Sequence, residues 1–375
     1  MMHFSLRMPK PRVVILSAFL TPFRSGAEAC AEEVPLRLTD QFDFTIVTAR
    51  LRRDLPREDS LSPHSPSHNG GGGHSGVRVV RVGIGCKLDK WLYPFLAPLE
   101  AKKFNPQLVH AILETFAGEA LMRCKKVIPQ AKRILTLQTT NRTFRKKKII
   151  QSADIVTAIS KHLADIAVGM GRADVTIIPN GIDYAAIRLA CDKYKKIPGR
   201  ILFVGRLEKM KGVDLLLNAF AQLQSPECRL HVVGDGSQAR SLKKLATQLG
   251  IADRVTFKGY LQTMDVYREY AEAEIFCGIS RSEALGNVFL EALAAGCAVV
   301  GTSIGGIVEI VQAGAAGILV RPEVSAVTGA LKKVLDIDVR KAFAQEGRLS
   351  AAKYDWNLIA NRYAEIYKSF TLPKA

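Results

Sequence analysis

Short apolar runs alternate with stretches whose apolar positions recur every three or four residues, almost throughout the chain. The runs Arg12–Ser17, Phe44–Thr48, Val77–Val82, Leu108–His110, Ile134–Leu137, Ile155–Ala158 and Thr176–Ile178 predict a first series of strands. Arg200–Val204, Leu230–Val233, Val255–Phe257, Ile275–Cys277, Ala298–Gly301 and Gly317–Val320 predict a second. Helical periods lie between them: Val213, Leu216, Leu217, Phe220 and Leu223 follow the i, i+3, i+4, i+7 spacing of one helix face. Repeated strand–helix alternation predicts an α/β fold, with parallel sheets covered by helices on both faces. Trp356–Phe370, amphipathic through Ile359, Tyr363, Ile366 and Tyr367, predicts a closing helix.

Two stretches break the pattern. Asp54–Gly76 is rich in Ser, Pro, His and Gly and cannot bury a core, so it predicts a surface loop. Its histidines, His64, His68 and His74, have no spacing that fits a structured metal site and read as exposed loop residues. Asp192–Arg200, with three lysines, a proline and a glycine, reads as an interdomain linker.

The 375 residues suffice for two or three domains. No apolar stretch reaches the ~20 residues of a membrane span. Val13–Leu20 reads as a first strand, with no small-residue cleavage site after it. The seven cysteines form no C-x-x-C pair and lie mostly in apolar segments, so reduced, buried thiols of a cytoplasmic protein are expected. The net charge of +18 changes the picture more: it attracts nucleotides, nucleic acid or acidic lipid headgroups, and its excess is concentrated in residues 1–190. Nucleic acid is the least supported partner, because the basic runs are not interleaved with aromatics, which make up only 7% of the chain.

Candidate chemistry gathers in the second half. Gly205-Arg206-Leu207-Glu208-Lys209-Met210-Lys211-Gly212 follows one predicted strand and precedes a helix. Ligands of parallel α/β sheets bind beyond the carboxyl ends of strands, so Arg206 and Lys211 are placed to meet a diphosphate there. Read alone, the segment is equally a solvated basic loop. Glu283-Ala-Leu-Gly-Asn-Val-Phe-Leu-Glu291 follows another strand and opens another helix. Gly286 permits close backbone approach, and the N–H groups of Asn287 and Val288 at the helix start suit phosphate oxygens. Glu291 leans back toward that end and Glu283 precedes it; both carboxylates suit sugar or ribose hydroxyls, or else are a cap and a surface glutamate. Gly234-Asp235-Gly236 and Gly259-Tyr260 are further turns at the same sheet edge, and backbone near Tyr260 could read a nucleobase.

Taken together these residues resemble the retaining family-4 glycosyltransferases of GT-B fold, over nearly the whole chain and most densely from Ile155 to Val320. Glu283 and Glu291 match the family's E-x7-E motif, Phe203–Gly212 its phosphate-clamp strand and loop, Ile178–Asp183 its interdomain segment, and Pro22–Glu28 its N-terminal glycine loop. The resemblance implies two Rossmann-like domains with parallel sheets facing across a cleft. An acceptor-binding domain would span 1–190, with the last helix (356–375) crossing back to it, and a nucleotide-sugar-binding domain 191–355. It implies that Arg206 and Lys211 neutralise the donor diphosphate, Glu291 holds the ribose, Glu283 contacts the donor sugar, and Gly26 lets the first-domain loop close. Gly205, Tyr260, Gly286, Asn287 and Val288 would complete the donor site. The donor is a UDP-sugar or GDP-sugar, and no metal is expected, in keeping with the lack of an Asp-x-Asp motif.

On the acceptor side the chain departs from the family pattern. Ile112 and Gln138 stand where many members carry histidines. His110 faces the acceptor or is a core residue at a strand end, with Glu114 nearby. Arg142, Arg145, Lys146, Lys147 and Lys148, with Lys102 and Lys103, form a solvated face or meet an anionic membrane carrying a lipid-linked acceptor. The expected activity is that of a retaining hexosyltransferase in glycan, glycolipid or cell-surface polysaccharide synthesis, peripheral on the inner face of the cell membrane. A nucleotide-sugar epimerase and a non-catalytic nucleotide or anion binder are the alternatives. A phosphorylase would need a pyridoxal-binding lysine site, and none is evident.

Overall fold

Apolar runs flanked by polar turns pair in parallel because the chain returns through a helix after each one. The computed structural model describes residues 9–23, 26–62, 76–141, 143–313 and 315–371. The chain divides into two compact units: Met1–Ile159, Leu163–Ile178 and Asn357–Ala375 form unit 1, and Ser160–His162 with Pro179–Trp356 form unit 2.

Unit 1 carries an eight-stranded sheet. Its strands are β1 (Arg12–Leu16), β2 (Asp43–Ala49), β3 (Glu58–Leu61), β4 (Val77–Val82), β5 (Leu108–Ile112), β6 (Lys132–Leu137), β7 (Ile155–Ala158) and β8 (Val175–Ile177). They lie in the order β3-β4-β2-β1-β5-β6-β7-β8, all parallel except that β3 runs antiparallel to β4. The central strand β5 is buried along its whole length, as a parallel strand covered on both faces must be.

β3 falls inside the stretch expected to be a loop. Its sequence, Glu-Asp-Ser-Leu, has no strand pattern. It forms because an edge position asks for pairing on one side only, and Arg81 Nη1 reaches Asp59 Oδ2 at 3.4 Å. Charged residues on such an edge also discourage further pairing. His64, His68 and His74 lie outside the described residues.

Unit 2 carries a six-stranded parallel sheet: β9 (Arg200–Val204), β10 (Arg229–Val233), β11 (Val255–Gly259), β12 (Ile275–Gly278), β13 (Ala298–Thr302) and β14 (Gly317–Val320), ordered β11-β10-β9-β12-β13-β14. The helix Val213–Ala221 buries Val213, Leu216, Leu217 and Phe220, the face its spacing predicted, in a core shared with Ile201, Phe203 and Val300.

The units divide at Ile178/Pro179, upstream of the expected 190/191 boundary. The helix Tyr184–Lys193 packs on the unit 2 helices Thr263–Glu272 and Asn287–Ala294. The expected linker, Asp192–Arg200, is likewise anchored in unit 2: Lys196 Nζ donates to the carbonyls of Tyr270 (3.1 Å) and Ala273 (2.6 Å). The final helix, Trp356–Thr371, belongs to unit 1 from Asn357 onward. There Ile359, Tyr363 and Tyr367 are buried, and the Tyr367 ring stands edge-on to Phe42 at 5.4 Å. All seven cysteines are free thiols, five of them buried, with Cys86 and Cys191 half-buried.

Candidate active site

The sheet of unit 2 has a topological switch at β9. From β9 the chain first builds outward through β10 and β11, then returns to add β12, β13 and β14 on the other side. The loops leaving the carboxyl ends of β9 and β12 therefore diverge from a common crevice, the usual ligand position in an open parallel sheet.

The loop after β9 is pinned at both ends. Gly205 N–H donates to Val233 O (3.0 Å) and Leu207 N–H to Asp235 O (2.9 Å). Lys209–Lys211 then forms one turn of 3-10 helix, closed by Gly212 at φ +67°. A Cβ on Gly212 would lie 1.8 Å from the Ile279 carbonyl oxygen, so only glycine lets this loop touch the one after β12.

That contact brings a cation and a carboxylate together. Lys211 Nζ lies 2.6 Å from Glu283 Oε2, and the Ser280 hydroxyl donates to the same oxygen at 3.2 Å. Both charged side chains are more than four-fifths buried, at 19% and 14% exposed. Arg281 clasps the loops a second time. Its N–H donates to Met210 O (2.7 Å), its guanidinium to Lys209 O (2.6 Å), and it grips the Asp214 carboxylate with two bonds of 2.9 and 2.7 Å. Two-pronged geometry of this kind fixes orientation as well as charge.

The helix Asn287–Ala294 starts at Gly286, whose φ is +97°, and no side chain caps it. The first-turn N–H groups of Asn287 and Val288 are the kind of donors that favour an anion. One turn on, Glu291 lies beside the Tyr270 hydroxyl, which also reaches Val288 O at 3.2 Å. Burial, and then the Glu291 charge, push the Tyr270 phenol well above its ordinary pKa, so it stays a neutral donor. Arg206 is exposed at the mouth of the β9 loop. Next to it, Glu208 accepts from the Ser237 hydroxyl (2.6 Å) and N–H (3.1 Å), bonds that hold its carboxyl below the usual range.

Lys211 and Glu283 thus meet directly, and Gly205, Arg206, Gly286, Asn287, Val288 and Glu291 sit on the loops or helix start around the same switch point. Tyr260 is set apart: it is exposed beyond β11, an edge strand separated from β9 by β10. The residues that sequence reasoning missed are Arg281, Asp214, Ser280 and Tyr270. A cation two residues before Glu283 was the one visible signal for any of them.

In unit 1, His110 is a core residue. It is 1% exposed, and its ring nitrogens are each 2.7 Å from a hydroxyl, Tyr367 on one side and Thr136 on the other. Burial pushes its pKa down to about 3, so the ring is neutral and spoken for. Of the two readings of His110, the structure shows the strand-end core residue and corrects the acceptor-facing one. Glu114 is fully buried, accepts from the N–H groups of Gln138 (2.8 Å) and Thr139 (3.3 Å), and pairs with Lys146 Nζ at 2.8 Å. Lys146 therefore leaves the expected basic surface, because its ammonium neutralises an internal carboxylate. Arg142 lies outside the described residues. Gly26 is exposed in the turn before the helix Ala29–Arg37, and its neighbours Arg24 and Ser25 lie outside the described residues.

Among the described residues no group of three or more His, Cys, Asp or Glu could hold a metal ion, and no helix is long and apolar enough to cross a membrane.

Two Rossmann-like α/β units, with a cation–carboxylate cluster at the switch point of the second, define a class, and comparison with known proteins identifies it. Residues 193–350 match the family model "Glycosyl transferases group 1", and residues 24–186 match "Glycosyltransferase Family 4". Each half of the chain thus matches a glycosyltransferase family model, and the architecture is the two-domain GT-B fold. Among curated relatives, glycogen synthase from Mycobacterium tuberculosis is 33% identical over 205 residues, 53% of this chain and 49% of that protein. D-inositol 3-phosphate glycosyltransferase from Corynebacterium urealyticum is 32% identical over 235 residues, 59% of this chain and 55% of that protein. The chain spans about half the length of these relatives. Among solved structures, sucrose-phosphate synthase from Thermosynechococcus elongatus superposes with a TM-score of 0.80 at 19% identity, covering 96% of this chain and 99% of that one. The Anabaena protein HepE, solved with UDP and glucose, gives 0.75 at 20% identity, covering 96% and 100%. These two likenesses speak for the fold.

Proposed function

We propose that this protein transfers a sugar from a nucleoside diphosphate sugar, UDP- or GDP-linked, to an acceptor hydroxyl with retention of anomeric configuration. The observation that carries the reading is the Lys211–Glu283 contact of 2.6 Å beside an uncapped helix start at the sheet's switch point. A glycosyl–diphosphate bond breaks slowly because negative charge accumulates on the leaving diphosphate while the sugar turns cationic. Lys211, Arg206 and the N–H groups of Asn287 and Val288 are fixed donors for that charge, in place before the reaction begins. Gly205 and Gly286 let the backbone approach the phosphates.

Glu283 holds Lys211 in place with one carboxylate oxygen and offers the other to the donor sugar. Glu291, supported by Tyr270, takes the ribose hydroxyls. On this reading the bond from the anomeric carbon to the diphosphate breaks, and the bond to the acceptor oxygen forms on the same face. The acceptor proton passes to a phosphate oxygen of the leaving group. Unit 2 is the donor side and unit 1 the acceptor side. The exposed cations Arg145, Lys147 and Lys148 suit a lipid-linked acceptor presented at an anionic membrane surface.

The test is a thermal-shift screen against UDP-, GDP- and ADP-sugars. A ligand present at 100 times its dissociation constant adds about 2.7 kcal/mol, which moves the midpoint of a chain this size by several degrees. A flat response to the whole panel refutes the reading.

A further inference from the structure

The helix Asp89–Lys102 has two apolar faces; the fold buries one and leaves most of the other exposed, with the Trp91 ring edge-on to Phe116 at 5.1 Å. Tyr93, Pro94, Ala97, Pro98 and Ala101 are buried, and the Tyr93 hydroxyl donates to Val47 O at 2.8 Å. On the other side Leu88, Trp91, Leu92, Phe95 and Leu99 are all exposed, Trp91 at 62%. Their spacing of three, one, three and four residues makes one continuous stripe along the helix. Single exposed apolar side chains are ordinary, but an unbroken row of five large ones marks an interaction surface.

The charges around the stripe say what it meets. Lys87, Lys102 and Lys103 are exposed at the two ends of the stripe, and Lys90 lies over the Trp91 ring at 5.8 Å. The helix Phe116–Val127 packs alongside, bringing Lys125 and Lys126 exposed and Arg123 stacked 3.9 Å from the centre of the Phe95 ring. Of the acids on the first helix, Asp89 is buried and turned inward to the N–H groups of Ile84, Gly85 and Cys86, while Glu100 is tied to Lys103 at 2.7 Å. An apolar stripe carrying Trp and Phe, edged by lysines whose stems cover apolar surface while their ammonium groups stay wet, has the chemistry of the bilayer–water interface. From Leu88 to Leu99 it extends about 16 Å at 1.5 Å per residue, roughly half a hydrocarbon core, so it lies in the interface plane. A second patch of like chemistry sits on the same unit, where Phe144, 86% exposed, is followed by Arg145, Lys147 and Lys148.

We propose that the helix Asp89–Lys102 docks unit 1 onto the surface of an anionic phospholipid bilayer, its stripe entering the headgroup layer. The inference rests on the glycosyl-transfer reading only for its purpose, access to a lipid-borne acceptor; the docking is measured without activity. The full chain is sedimented with vesicles of mixed phosphatidylcholine and phosphatidylglycerol, and with phosphatidylcholine alone. Binding to the mixed vesicles, weakening with added salt, is expected, with little to the neutral ones. The triple variant Leu88→Ser, Leu92→Ser, Leu99→Ser changes exposed side chains and should keep its circular dichroism and its nucleotide-sugar thermal shift while binding the mixed vesicles at least about tenfold more weakly. Indifference of the parent chain to anionic vesicles, or equal binding by the triple variant, overturns the proposal. So does a parent chain that is dimeric in solution while the variant is monomeric, since the stripe is then a contact between copies. A flat nucleotide-sugar screen beside intact vesicle binding would sink the donor-site reading and leave the docking surface standing.

Discussion

Replacing Lys211 by methionine separates the catalytic reading from a structural one. The substitution keeps the length and apolar stem of the side chain and removes its charge. In the folded chain, Glu283 then loses an ammonium partner at 2.6 Å and keeps the Ser280 hydroxyl at 3.2 Å. The pair is more than four-fifths buried, with 19% and 14% exposure, but Glu283 keeps a hydroxyl partner, so the loss of stability should be about 1 to 3 kcal/mol, a shift of several degrees in the melting midpoint. The loss of turnover is a separate quantity. A fixed donor aimed at a developing negative charge is worth about 100- to 1000-fold in kcat, or roughly 2.7 to 4 kcal/mol. Steady-state release of nucleoside diphosphate at saturating donor reads the second quantity, and thermal unfolding followed by circular dichroism reads the first. Glu283→Gln completes a cycle: the double variant should lose less than the sum of the singles, because the two side chains act on one locus. Turnover within about threefold of the parent in a folded Lys211→Met chain would refute the clamp.

Three further outcomes follow from the geometry. Gly212→Ala must displace the Ile279 carbonyl, 1.8 Å from the new Cβ, whereas Gly250→Ala has a similar φ (+68°) and open space; urea midpoints should show a loss of about 1 to 2 kcal/mol for Gly250→Ala and clearly more for Gly212→Ala, with nucleotide-sugar stabilisation lost only in the latter. Tyr270→Phe removes the hydroxyl beside Glu291 and should weaken binding of the nucleoside diphosphate about tenfold by titration calorimetry, and an unchanged affinity would remove Tyr270 from the site. His110 has a folded pKa of about 3 against an ordinary 6.5, so the unfolded chain binds the extra proton between these values. Its stabilising contribution is full above pH 6.5 and lost as pH falls toward 3; from pH 7 to 5 that is about 2 kcal/mol, and His110→Gln should flatten this part of the urea-midpoint profile.

The parallel sheets were legible because their central strands are buried on both faces and must be apolar along the run, as in Val13–Leu16 or Ile275–Cys277. The cluster around β9 and β12 was legible as types and spacings: a lysine before a glycine-closed turn, and two glutamates flanking a helix start. Its contacts were not. Lys211 and Glu283 are 72 residues apart, and nothing local says that the two loops touch. Arg281 went unnoticed because its partner Asp214 and the carbonyl of Lys209 come from another loop. Lys146 was grouped with its basic neighbours because sequence shows charge but not depth, and Glu114 decides which lysine goes inside. β3 escaped for the opposite reason: an edge strand of Glu-Asp-Ser-Leu has no buried face to mark it.

The bond between His110 and Tyr367 links positions 257 residues apart within unit 1. It fixes an order of events during vectorial synthesis. When residues 1–178 leave the ribosome, unit 1 still lacks Ile359, Tyr363 and Tyr367, so the His110 imidazole and the Phe42 and Phe44 rings wait without their Tyr367 neighbour. Unit 2, drawn almost wholly from the following stretch, can close its own core while that wait continues. The half that is translated first is the half finished last.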